Sequence, residues 1–136
     1  MHSFIIKAER QVVVTFDSQR FESDGWLDAY MVHLEAPDFK ASALVENPGF
    51  GHPPTVLFDD IAKQWSGWKG VKTWDAMEGE LRISATSDST GHITIHFEVP
   101  GSNVRACWSA KFAIVVEAGQ VERLAKEAHE FFNRQV

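Results

Sequence analysis

Residues 80–99 read Glu80-Leu81-Arg82-Ile83-Ser84-Ala85-Thr86-Ser87-Asp88-Ser89-Thr90-Gly91-His92-Ile93-Thr94-Ile95-His96-Phe97-Glu98-Val99. Leu81, Ile83 and Ala85 alternate with polar residues, and after the turn residues Ser87 to Gly91 so do Ile93, Ile95, Phe97 and Val99. A period of two puts successive side chains on opposite faces of a strand, so this stretch predicts a hairpin with one apolar and one polar face. Pro100-Gly101-Ser102-Asn103 makes the next turn, and Ala106, Trp108, Ala110, Phe112, Ile114 and Val116 supply the inner face of a long third strand. A three-stranded meander is expected. Beyond it, Val121, Leu124, Ala125, Ala128, Phe131 and Phe132 fall on one stripe of a closing amphipathic helix, with Arg123/Glu127 among the i,i+4 pairs on its other side.

Upstream the punctuation is heavier. Asn47 to Pro54 holds two glycines and three prolines, so no regular element crosses it. Leu57, Ile61, Trp65 and Trp68 then recur at helical spacing, predicting a helix from about Thr55 to Ser66, with Asp59 and Asp60 in its first turn and Gly67 as its stop. Before the break, Phe4 to Lys7 and Val12 to Phe16 read as a first hairpin, Asp17 to Gly25 as a polar stretch ending in the turn dipeptide Asp24-Gly25, and Trp26 to Ala36 as a strand partly covered on both faces. On that strand Leu27, Ala29 and Met31 share one face, and Tyr30, Val32 and Leu34 the other. Pro37-Asp38 turns the chain into Phe39 to Glu46. The expected fold is α+β: one antiparallel sheet of six or seven strands (four strands, a helix, the meander, a C-terminal helix), with both helices on one face. Val and Phe number 23 against 6 Leu, which favours pleated surfaces.

With 136 residues, 44% of them hydrophobic, the chain is composed like one globular domain, residues 1–136, able to bury a core without disulfides or metal. Thirteen Lys and Arg against nineteen Asp and Glu give a formal charge of -6, which disfavours nucleic-acid phosphates and anionic lipid as partners and favours a basic one. The single cysteine, Cys107, cannot pair within the chain and suits a reducing cytoplasm. Lys7, Glu9 and Arg10 interrupt any apolar leader, and the run Phe112 to Val116 is too short to span a bilayer. An intracellular, bacterial-type protein with neither signal peptide nor anchor is expected.

Chemical signatures are sparse. His92 and His96, with Asp88, invite a metal reading, but residues four apart on a strand lie about 13 Å apart and cannot share one ion. Cys107 has no helix N-terminus to activate it, and the serines lack a glycine-framed elbow. Glu80, Glu98 and His96 share a polar face, where such residues usually serve solubility. Gly49, Gly51, Gly67 and Gly70 form no nucleotide fingerprint. Neither catalytic nor metal nor cofactor residues are therefore assigned, and no cofactor is expected. The stretch from Trp65 to Trp74 carries three tryptophans and, counting Lys63, three lysines. Interleaved rings and bases suit stacking on single-stranded nucleic acid or a sugar, or a protein contact; the favoured reading keeps Trp65 and Trp68 on the helix stripe in the core and uses Trp74 to close the loop against the sheet.

Trp65, Gly67 and Trp68, then Trp74, the strand opening at Glu80-Leu81, Asp88, the Gly91-His92 start of the next strand and the closing helix from Gln120 to Phe131 together resemble a family of small uncharacterised bacterial proteins. Some look-alikes of that family resemble immunity proteins of polymorphic toxin systems. The resemblance covers Pro54 to Phe132 and implies a fold rather than an activity. On these grounds the expected function is a noncatalytic protein-binding module, immunity-like and aimed at a basic partner. Phe50, Trp68 and Trp74 are its candidate anchors, Glu46, Asp59, Asp75 and Glu78 its steering charge, and the Arg82, Thr94 and His96 face of the sheet the alternative docking surface. Two rival readings stand beside it: a small-molecule or enzymatic pocket between sheet and helices, lined by Trp26, Tyr30, Trp65 and Trp108, and a self-associating protein with no ligand, its dimer made by sheet edges or a flat sheet face; the expected state across these readings is a monomer or a homodimer.

Overall fold

A computed structural model describes residues 3–8, 11–47, 51–101 and 107–133. It contains two four-stranded antiparallel sheets, each with its strands paired in chain order. The first is built from β1 (Phe4–Ala8), β2 (Val12–Phe21), β3 (Leu27–Ala36) and β4 (Phe39–Glu46). After the glycine- and proline-rich break comes α1 (Thr55–Lys63), then the second sheet of β5 (Lys72–Asp75), β6 (Arg82–Ser87), β7 (His92–Val99) and β8 (Ala110–Glu117). A 3-10 turn at Ala118–Gln120 leads into α2 (Val121–Phe132). The α+β class stands, but the single sheet of six or seven strands is corrected to two sheets.

The Glu80 carboxylate accepts a hydrogen bond from the Glu46 backbone N–H at 2.8 Å, so a side chain takes a β4 donor that a further strand would have needed. The second meander forms its own open sheet, with β5 added against β6, Trp74 opposite Ile83 and Asp75 opposite Arg82.

Inside, the two sheets and both helices share one hydrophobic cluster. Phe16 is its hub: its ring centroid lies 5.6 Å from Phe4, 5.4 Å from Phe132 and 6.4 Å from Phe97 of the second sheet. Phe58 of α1 meets Phe4 edge-on at 5.3 Å, and Phe132 of α2 meets Tyr30 at 5.1 Å. Both helices therefore pack on the face of the first sheet that also receives the second. Leu124, Ala128 and Phe131 are buried, as the stripe on α2 predicts, and Arg123 pairs with Glu127 at 2.8 Å on the other side. His129 ties α2 to Asp59 of α1 at 2.7 Å.

Three boundaries differ from the sequence reading. β2 runs on to Phe21 through a bulge, where the register jumps between Asp17 and Arg20 and Ser18 adopts φ +56°; the turn is confined to Glu22–Trp26, held by the Gly25 N–H to the Glu22 carbonyl. α1 starts at Thr55 and ends at Lys63, so Asp59 and Asp60 fall in its second turn and the first turn holds no acid, while Trp65 lies past its end and stands 62% exposed, off the stripe expected to bury it. The regular part of β8 begins only at Ala110, which leaves Trp108 outside it and 43% exposed. On β3 the inward face is Tyr30, Val32 and Leu34, while Met31 and His33 face out and Leu27 and Ala29 are also buried.

Candidate functional site

Strict alternation on β6 and β7 buries Ile83, Ala85, Ile93, Ile95, Phe97 and Val99 and turns the intervening polar side chains outward. Register then sorts the outward residues into rows. Asp75, Arg82, Glu98 and Lys111 lie side by side across the four strands, alternating negative and positive. Next come Thr73, Ser84, His96 and Ala113, followed by Thr86, Thr94 and Val115. A hollow of about 470 Å³ opens over them, with Val71, Thr73, Arg82, Ser84, His96 and Lys111 among its walls. Arg82 Nε reaches Asp75 Oδ1 at 3.4 Å. Among the described residues, His96, Glu98 and Lys111 have no side-chain partner. The face thus presents hydroxyls, an imidazole and both signs of charge with their hydrogen-bonding capacity unspent.

Asp75, Arg82, Thr94 and His96, anticipated from sequence, are brought together here. Glu78 sits exposed in the turn at the Asp75 end of the same sheet. Trp68 and Trp74 are half-buried against the core. Trp74 Nε1 donates to the His52 carbonyl at 2.8 Å, and Lys72 Nζ stands 5.1 Å from the Trp68 ring while pairing with Asp60 at 2.9 Å. Each ring is thus partly committed to the fold. Phe50 lies outside the described residues. The four aromatics expected to line a pocket do not converge: Tyr30 is inside the core, Trp65 stands exposed beyond α1, and Trp108 lines a separate hollow of about 320 Å³ with Glu78 and Glu80, to which Trp26 does not contribute.

Two further polar clusters lie elsewhere. At the β6–β7 turn the Asp88 carboxylate accepts the backbone N–H groups of His92 and Thr90, which hold its pKa below the usual carboxylate range, and His92 also approaches Glu117 at 3.3 Å. This is turn chemistry, and no group of three His, Cys, Asp or Glu placed to hold a metal occurs among the described residues. Cys107 is free and exposed.

On the outer face of the first sheet, His33 lies between Ser42 (Nδ1 to Oγ, 2.7 Å) and Asp17 (Nε2 to Oδ1, 2.9 Å). With Nε2–H donating to the carboxylate, Nδ1 accepts the Ser42 hydroxyl, the order a serine nucleophile needs. Acyl transfer also needs donors aimed at the oxyanion. The same-face neighbours are Ile5, Thr15, Met31 and Leu44 on one side and Val13 with the Glu35–Lys40 pair on the other, where the Lys40 ammonium lies 3.7 Å from Glu35 and its side chain is 73% exposed. A cross-strand ladder stabilising β2, β3 and β4 accounts for the trio.

With this geometry in place, comparison with known proteins fixes the kinship. Residues 5–135 match the family model DUF6228, a family of unknown function. The chain belongs to DUF6228. A search of curated proteins finds no match for this DUF6228 chain. Among solved structures, that of the plant transcriptional regulator PBF-2 is similar with a TM-score of 0.53 and 11% identity, covering 97% of this chain and 80% of that one. At that identity the likeness is one of fold alone. Around the smaller hollow sequence reasoning misses Leu44, and it does not bring Trp108, read as part of an aromatic pocket, together with Glu80, read on the polar sheet face. They come from three separate segments, and only the placement of β4 beside the β5–β6 turn unites them.

Proposed function

We propose that this DUF6228 chain is a noncatalytic protein-binding module that works inside a bacterial cell and docks a basic protein partner on the outer face of its second sheet. The observation that carries the reading is the four-stranded row Asp75, Arg82, Glu98 and Lys111 beside Thr73, Ser84 and His96, gathered round an open hollow with His96, Glu98 and Lys111 unpaired among the described residues. Alternating charge suits register-specific recognition of another polar surface, and the formal charge of -6 favours a partner of opposite sign at long range. An immunity-like role, binding and blocking a basic toxin domain, fits both features. The same charge sets the surface against a phosphate backbone, and likeness of fold to a transcriptional regulator transfers no partner.

The test places a photoreactive amino acid at His96, in the hollow, and as a control at Glu130, on the exposed side of α2. Irradiation in the source cells is expected to give a protein-sized adduct from position 96 and none from position 130. Equal labelling at both positions, or none at position 96, would overturn the reading.

A further inference from the structure

The smaller hollow, of about 320 Å³, is walled by Ser42 and Leu44 of β4, Glu78 and Glu80 of the β5–β6 turn, Pro100 and Trp108. Both charged groups in its lining are carboxylates. Glu80 is held in place by the Glu46 N–H on Oε2, while its Oε1, shut off from solvent, has no hydrogen-bond partner among the described residues. The Trp108 ring rests directly on Gly101, where any Cβ would run into the indole, so the ring is seated at the wall by the absence of a side chain there. Leu44 and Trp108 are 46% and 43% exposed, large apolar surfaces beside uncompensated negative charge.

Two carboxylates, an indole and an aliphatic wall, with no Lys or Arg among the described lining residues, complement a cation on an apolar stem. A volume at the low end of ligand sites suits one long side chain. Between the two candidate cations, guanidinium fits better: it is planar, stacks on an indole, bonds a carboxylate through two N–H groups at once and is the more weakly hydrated. The location is also apt, because Asp75, Arg82 and Glu98 end at the turns that line this hollow, which therefore adjoins the proposed docking face.

We propose that this hollow is an anchor pocket for an arginine side chain of the partner, with Glu78 meeting the guanidinium, the Glu80 carboxylate adding negative potential at the wall and Trp108 covering the guanidinium face. This deepens, and rests on, the protein-docking reading. The probe is the peptide acetyl-Gly-Arg-Gly-amide, titrated into the ¹⁵N-labelled full chain while the Trp108 indole N–H resonance is followed. A citrulline peptide serves as its uncharged isostere and a lysine peptide as the other cation. The arginine peptide is expected to shift the Trp108 resonance saturably, with the citrulline peptide about 10-fold weaker or more, as loss of a charged hydrogen-bond pair implies. Glu78→Gln should weaken the arginine peptide, read from the same resonance, and Trp108→Leu, followed through the backbone amide of Gly79 in the wall of the hollow in place of the lost indole, should weaken it as well. An unmoved Trp108 resonance, or citrulline or lysine peptides binding as tightly as arginine, would overturn the assignment. If position 96 captures a protein while the arginine peptide leaves Trp108 unmoved, the pocket assignment alone falls. If the peptide binds as expected and position 96 captures nothing, the docking face alone falls.

Discussion

Phe16→Ala is expected to cost about 3–5 kcal/mol of unfolding free energy, the range for deleting a buried phenylalanine. Phe16 is fully buried, and its ring meets Phe4, Tyr30, Phe97, Phe131 and Phe132, so one side chain touches β1, β3, β7 and α2 at once. Deletion would leave a void bounded by four elements that are each held by their own ladder or helix and cannot all collapse into it. Phe39→Ala is the control. That ring stacks on Phe112 at 5.7 Å, also between the sheets, but it is 36% exposed, so its loss should be distinctly smaller. Urea unfolding of both variants decides the matter. A Phe16→Ala loss no larger than that of Phe39→Ala would mean that the two sheets do not share this core.

The second large effect is alkaline. Tyr30 is the only tyrosine, and burial first, then the Glu80 carboxylate, push its phenol far above the ordinary value of about 10. A pKa raised in the folded state means that the fold holds a proton the unfolded chain releases. The stabilising contribution is therefore complete below about pH 10 and is lost as pH rises beyond it, at a slope that approaches about 1.4 kcal/mol per pH unit, or about 2 kcal/mol between pH 10 and pH 12. Tyr30→Phe cannot titrate, so its stability should fall less steeply over that interval, the difference isolating Tyr30 from the lysines. In the parent, tyrosinate absorbance should appear only with unfolding. Parallel stability curves for parent and variant would show that Tyr30 is accessible to solvent.

Much of this fold could be read from the chain where one face meets water and the other the core. The alternation in His92–Val99 and Phe39–Glu46 matches β7 and β4 to the residue, and the stripe from Val121 to Phe132 matches α2. β5 escaped because Lys72-Thr73-Trp74-Asp75 is only four residues long, with a lysine on its inner side. Trp65 looked like a continuation of the α1 stripe because periodicity ignores where a helix stops; here the chain turns at Gln64, whose N–H reaches both Asp60 and Ile61. The division into two sheets was invisible for a different reason: which edges pair is a tertiary choice, and a carboxylate 34 residues away caps the β4 edge. The candidate face was legible in part. Arg82, Thr94 and His96 follow from alternation alone, whereas Lys111 joins Glu98 only through register across the long β7–β8 loop. The smaller hollow needed the packing of β4 against the β5–β6 turn and left no local trace.

Association kinetics with the protein captured at position 96 test the central claim, a docking face steered by negative charge, most directly. For the parent chain the on-rate should fall steeply as the Debye length contracts from about 30 Å at 0.01 M salt to about 10 Å at 0.1 M. The double reversal Asp75→Lys/Glu78→Lys, both exposed positions at one end of the second sheet, should associate more slowly at low salt and show a flatter salt dependence. On-rates that coincide for parent and variant at every salt concentration would contradict the account.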